Sequence, residues 1–261
     1  MTGSLLPLVL LVCGWLNTLA QGVIAGARSG EAEGGFGLLG ISPLALLIAG
    51  ICAQALWRNR ALVAPMAHGP SALLFAAAVL VPSSLVSAGA LAIWGALVTW
   101  RSRGAARWAV AGFAGLGLCA IWQAAGARIL AAPFLTGDAI AVEWLLGLVR
   151  EGITRSGNVV GQTDGHRIIV FLGCATVWAL PFAVLAVAVL LRHLGTTPRG
   201  FIRAVALVTA GYTGLNVLRL GILAWSPAAY AIGHRGIGVD IFDAAAALLV
   251  FAAAFLAPRG T

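Results

Sequence analysis

A chain of 261 residues that is 61% hydrophobic, 9% charged and of mean hydropathy +1.00 is too apolar for a soluble domain, which would carry about a quarter charged residues. That composition points to an integral membrane protein of the all-α class, a polytopic helical bundle forming one domain over 1–261. The net charge of +8 comes from 16 Arg and no Lys, scattered through short loops with no continuous basic stripe, which argues against a nucleic-acid surface.

A membrane crossing needs roughly 20 apolar residues. Apolar runs predict eight spans, over 4–24, 36–56, 61–81, 84–100, 106–127, 168–191, 202–224 and 238–257. The first lacks a basic flank and reads as a retained helix rather than a cleaved leader, although Thr18-Leu19-Ala20 precedes Gln21. The third carries Pro65, His68, Gly69 and Pro70, and Pro82-Ser83-Ser84 makes the turn into the fourth.

Charge sets the parity of the crossings. Arg58 and Arg60 form one basic loop and Arg101, Arg103 and Arg107 the next. The positive-inside rule puts both on the cytoplasmic side, so 61–100 must cross twice. Arg192, Arg199, Arg203 and Arg259 then also fall inside, and both termini are cytoplasmic. The eight acidic residues, Glu31, Glu33, Asp138, Glu143, Glu151, Asp164, Asp240 and Asp243, fall on or near the outer side.

Residues 128–149 are long enough to cross, yet they hold Arg128, Pro133, Asp138 and Glu143. A crossing there would invert everything after it, so the segment reads as a re-entrant or interfacial helix on the outer side. It leads into a polar stretch, Arg150 to Arg167, where Ser156-Gly157-Asn158 marks a turn. Extended pieces at 153–155 and 159–162 make a small hairpin the expectation.

The last third carries the chemistry. Of four cysteines, Cys13, Cys52 and Cys119 lie inside apolar runs and read as small buried hydrophobes. None has metal-ligand spacing, and no cofactor or metal is expected. Cys174 is six residues into the sixth span, roughly 9 Å deep at 1.5 Å per residue. Arg219 is five residues from the outer end of the seventh, roughly 8 Å deep by the same rise. His234 lies in the loop that follows. All three belong to the outer-leaflet level.

A charged side chain within a span costs about 2.5–3.5 kcal/mol on insertion scales and usually faces the bundle interior. A guanidinium about 4 Å from a thiol returns about 4 kcal/mol at an effective dielectric of 20, enough to offset moderate desolvation of a thiolate. His234 is placed to take the thiol proton and return it to a leaving amine, and Arg219 to stabilise either the thiolate or a tetrahedral oxyanion. Asn216, one turn from Arg219, either orients the guanidinium or donates to the oxyanion; an interhelical hydrogen bond is the plainer reading.

These residues resemble the exosortase/archaeosortase family of membrane cysteine transpeptidases. The likeness covers Leu145 to His234. It rests on Gly152-Ile153-Thr154-Arg155-Ser156-Gly157-Asn158-Val159-Val160 ahead of the nucleophile, Val170-Phe171-Leu172-Gly173-Cys174, Asn216-Val217-Leu218-Arg219, and Gly233-His234 followed by Gly236. After the cysteine the family commonly has Ser-Gly, where this chain has Ala175-Thr176. The resemblance implies a catalytic part over about 145–257, with Cys174 as nucleophile, Arg219 as its electrostatic partner and His234 as base. Archaeal relatives use Arg in the third place, so Arg235 is the other occupant of that role.

The resemblance also implies the substrate: an exported protein with a C-terminal sorting signal made of a short motif, a transmembrane helix and a basic tail. Cleavage would be followed by transfer to a surface anchor, with a lipid or glycan as acceptor, at the outer face of the inner (cytoplasmic) membrane. The competing expectation is a non-enzymatic membrane protein, a transporter component or assembly factor, with Arg219 in a structural ion pair with Asp240 or Asp243. A rhomboid-like serine protease is a weaker third reading, because Ser83, Ser84 and Ser87 lack a Gly-x-Ser context.

Overall fold

The computed structural model describes residues 6–29, 42–63, 83–235 and 237–258, together with 73–74, 76–77 and 80–81. Most of the third expected span, 61–81, lies outside the described residues, as do 36–41 of the second.

Among the described residues the helices are α1 (Leu6–Ser29), α2 (Pro43–Arg58), α3 (Ser84–Arg101), α4 (Gly104–Ile121), α5 (Ala131–Gly147), α6 (Thr176–His193), α7 (Pro198–Trp225), α8 (Pro227–Arg235) and α9 (Ile237–Leu256). Five helical stretches are long and apolar enough to cross a membrane: Ser84–Arg101, Gly104–Ile129, Leu172–His193, Pro198–Trp225 and Ile237–Leu256. They mark the chain as a membrane-embedded helical protein. With 16 residues, α2 falls short of that length.

Local sequence explains the ends. Ser83 caps α3, its side chain accepting from the Val86 N–H at 3.4 Å. Thr197 caps α7 by accepting from the Gly200 N–H at 3.2 Å, with Pro198 at the first helical position. Between α6 and α7 the chain reverses at Gly195, whose φ of +68° is a conformation that glycine adopts without a Cβ penalty.

Small residues let α3 and α4 touch along their backbones. A Cβ on Gly117 would lie 2.7 Å from the Ala88 carbonyl oxygen and 2.9 Å from the Ala92 nitrogen. The larger core gathers Ile48 and Leu56 of α2, Leu91 of α3, Phe113 of α4, Leu191 of α6 and Val250 of α9. A smaller core, at one end of α7, joins Val142 of α5, Val177 of α6 and Leu220 and Leu223 of α7 to the sheet.

That sheet is where the expected hairpin gains a strand. β1 (Ile153–Ser156), β2 (Val159–Gln162) and β3 (Arg167–Ile169) form an antiparallel meander in the order β1-β2-β3. Gly157 at φ +60° opens the two-residue turn between the first two strands. Ile168 pairs with Val160 and Ile169 with Val159.

The sixth expected span is corrected accordingly. Its first residues are strand, and the α-helix starts only at Thr176. A short apolar run such as Ile168–Phe171 has the same composition as the start of a buried helix, and periodicity cannot separate the two. The segment 128–149 forms α5, a 17-residue helix packed on β1, β2 and α7. An ion pair, Arg155 Nε to Glu143 Oε2 at 3.0 Å, ties β1 to it.

Candidate active site

Cys174 closes a 3-10 turn, Leu172–Cys174, directly before α6. It therefore sits at the mouth of the helix, not six residues inside it as the span count had it. His234 is also corrected. It lies on α8, not in a loop, because Ser226-Pro227 starts a helix there: the Ala229 N–H donates to Ser226 Oγ at 3.2 Å and the Tyr230 N–H to Ser226 O at 2.9 Å. The two side chains meet. Cys174 Sγ is 3.9 Å from His234 Nδ1, the outer edge of a hydrogen bond to sulfur. For Nδ1 to accept the thiol proton, the neutral ring must carry its own proton on Nε2.

Tyr230, one turn earlier on α8, lies against the His234 ring with centroids 4.8 Å apart. On its other side Tyr230 meets His166 edge-on at 5.9 Å, and His166 Nε2 is 3.0 Å from the Leu223 carbonyl. The ring facing the thiol is thus braced from α7 through two aromatic contacts.

Arg219 comes from α7, with its guanidinium Cζ 4.9 Å from the centre of the Phe242 ring on α9. Its charge acts on both Cys174 and Asp243. Its Nε is buried and makes no hydrogen bond among the described residues. Among those residues the ion pair that forms within 4 Å is Arg155 with Glu143, so the expected structural pair of Arg219 with Asp243 is not made. The Arg235 side chain lies outside the described residues.

Asn216 does not wait for an oxyanion, and among the described residues no hydrogen bond joins it to the Arg219 guanidinium. Its amide donates to the Cys174 carbonyl oxygen and to Thr176 Oγ1, each at 3.0 Å. Both amide protons are spent there, so the plainer reading, an interhelical hydrogen bond, is the one the structure bears out. The residue that sequence reasoning missed is Asp138 of α5. Its Oδ2 accepts from the Thr176 N–H at 2.7 Å and its Oδ1 from the Thr176 hydroxyl at 2.9 Å.

The first turn of α6 has no local side-chain cap, because Ala175 occupies the cap position. A carboxylate from another helix fills that role, where the helix dipole favours negative charge. Asp138, Thr176 and Asn216 are 8%, 7% and 2% exposed, a buried polar clamp that fixes the cysteine turn from α5 and α7 together. The sequence signal for it was an acidic residue in the middle of an apolar 17-residue helix.

A second brace acts just below. Pro181 inside α6 has no N–H to give the Val177 carbonyl. Trp122 Nε1 donates to that oxygen at 2.8 Å, and Gln123 Nε2 to the Trp178 oxygen at 3.2 Å. Both donors come from a π-helical turn, Trp122–Gly126, that continues α4.

The other sequence candidates have packing roles. Cys52 and Cys119 are buried, and Ser87 accepts from Asn17 Nδ2 at 2.8 Å. Among the described residues no group of three His, Cys, Asp or Glu side chains is placed to hold a metal ion. No family model matches the chain, and no curated protein or solved structure matches it either.

Proposed function

We propose that the chain is a membrane-embedded cysteine transpeptidase or peptidase that cleaves the C-terminal sorting signal of exported proteins. The observation that carries this reading is the approach of Cys174 Sγ to His234 Nδ1 at 3.9 Å, from segments 60 residues apart, within electrostatic reach of Arg219. A thiol and a base in contact, with a cation in electrostatic reach, are the parts that acyl transfer needs.

In the proposed reaction His234 takes the Cys174 proton and the thiolate attacks the scissile carbonyl. Arg219 stabilises the tetrahedral oxyanion. Collapse breaks the C–N bond, His234 returns the proton to the departing amine, and a thioester remains on Cys174. Water or an anchor nucleophile, lipid or glycan, then resolves it. Asn216, Thr176 and Asp138 keep the cysteine turn in place.

Eight crossings with both termini inside, in the cytoplasmic membrane, put this site at the outer face, where an exported tail arrives. That topology rests on the Arg-bearing loops and tail assigned to the cytoplasmic side, Arg58 to Arg60, Arg101 to Arg107, Arg192 to Arg203 and Arg259, which hold no acidic residue.

Co-expression with an exported protein that ends in a short motif, a transmembrane helix and a basic tail tests the reading. Cys174→Ala and His234→Ala each abolish processing while protein levels stay constant. Continued processing by Cys174→Ala would sink the mechanism.

A further inference from the structure

The meander ends in an open edge that leads straight to the nucleophile. Its hydrogen-bonding parity follows from three contacts. The Gln162 N–H donates to the His166 oxygen at 3.0 Å, the Val170 N–H to the Asn158 oxygen at 2.9 Å, and Asn158 Nδ2 to the Val170 oxygen at 3.0 Å. Antiparallel ladders alternate bonded and non-bonded residues. His166, Ile168 and Val170 therefore turn their backbone groups toward β2, and Arg167 and Ile169 turn theirs away. Among the described residues, no backbone hydrogen bond from outside the sheet reaches the Ile169 N–H or C=O.

The side chains divide the same way. Ile168 and Val170 are 4% and 1% exposed and join the smaller core, whereas Ile169 and Phe171 are 50% and 57% exposed. Two large apolar side chains, two residues apart, thus stand on one face of an unpaired edge. Five residues after Ile169 comes Cys174, whose own N–H is occupied by the Phe171 oxygen at 3.0 Å.

We infer that β3 is the docking edge for the substrate, which adds to the meander as a fourth strand; this rests on the cysteine transpeptidase reading above. The occupant is an extended polypeptide segment. An open strand edge offers alternating N–H and C=O groups, and only another extended backbone matches that spacing along its length. Continuity with the Cys174 turn puts the scissile bond within a few residues of the paired segment. Recognition then reads alternate side chains of a short extended motif against Ile169 and Phe171. The edge is only three residues long, which guards it against indiscriminate pairing.

The test removes the outward donor alone. Ile169→Pro deletes an N–H that faces away from β2, at an edge where proline is tolerated. The expected result is processing of the co-expressed tripartite-tail substrate slowed tenfold or more, with the maleimide labelling rate of Cys174 unchanged. Processing at the wild-type rate would overturn the inference.

A proline scan of the substrate motif against the unaltered enzyme serves where the variant fails to accumulate. Strand addition requires tolerance at every second position, and a scan with no two-residue period overturns it. In a chain with all four native cysteines replaced by Ala, Ile169→Cys should form a disulfide with a cysteine placed in the substrate motif when a thiol oxidant is added. Disulfide formation between two copies of the chain instead would make the edge a self-pairing surface and overturn the proposal. Failure of Cys174→Ala to stop processing removes the transpeptidase reading itself; a wild-type rate in Ile169→Pro removes only the docking edge.

Discussion

The pairing of α3 with α4 and the junction of α5, α6 and α7 solve the same packing problem by opposite means. Along α3 and α4, Gly117 and Gly95 let backbones approach until a Cβ on Gly95 would lie 2.8 Å from that of Ala114. Close packing between apolar surfaces carries that contact, and it leaves no room for a Cβ at either glycine. At the junction, three buried polar side chains fix one turn through four hydrogen bonds, two given by the Asn216 amide nitrogen and two accepted by the Asp138 carboxylate. Dispersion is tolerant of sequence, whereas a hydrogen bond specifies the position of an atom. The scaffold has been built with the first and the cysteine turn with the second.

The most disruptive way to test the scaffold is Gly117→Leu. The new side chain meets the Ala88 carbonyl and the Ala92 nitrogen, backbone atoms that cannot rotate away. Overpacking of this kind costs about 3 kcal/mol. Thermal unfolding in detergent should show that loss, while folded molecules still label Cys174 with maleimide at the wild-type rate. A changed labelling rate would mean that the two regions are coupled.

A smaller effect separates position from stability at the junction. The Thr176 hydroxyl accepts from Asn216 and donates to Asp138. Thr176→Val keeps the shape and removes both bonds, leaving buried polar groups unpaired at a cost of about 2 kcal/mol. Processing and Cys174 labelling should both fall by tenfold or more. Thr176→Ser restores the hydroxyl and should restore both rates. A slow Thr176→Ser variant would show that the methyl group, and not the clamp, positions the turn.

That clamp marks the boundary of what the sequence reveals. Long apolar runs gave α3, α4, α7 and α9 to within a few residues, because hydrophobic burial acts on composition. Asp138 and Thr176 were both visible, one as a charge in an apolar segment and the other as a departure from Ser-Gly after the cysteine. Their bond was not, because it joins residues 38 apart on different helices. The helix under His234 could have been read from Ser226-Pro227, a local signal outweighed by the expectation of a loop. β3 could not, since Ile168–Phe171 fits a strand or a helix start equally well. The meeting of Cys174 with His234 was expected only as a shared outer-leaflet level, from a Cys174 depth that the 3-10 turn before α6 corrects, and the fold supplied the lateral approach.

The smallest expected effect comes from the other three thiols. Cys52 of α2 is fully buried against Gly112 of α4, so its sulfur fills space in the larger core. Cys119 is 6% exposed and Cys13 half-buried. Replacing all three by Ala removes one atom at each site, about 1 kcal/mol where burial is complete and less for Cys13. Because apolar packing tolerates small losses of volume, processing should stay within twofold of wild type, with a modest loss in thermal unfolding. Cys174→Ala removes the same atom and should end processing altogether. If the triple variant lost activity as completely, the difference between the two regions would lie in packing alone, and the thiol at the junction would have no special place.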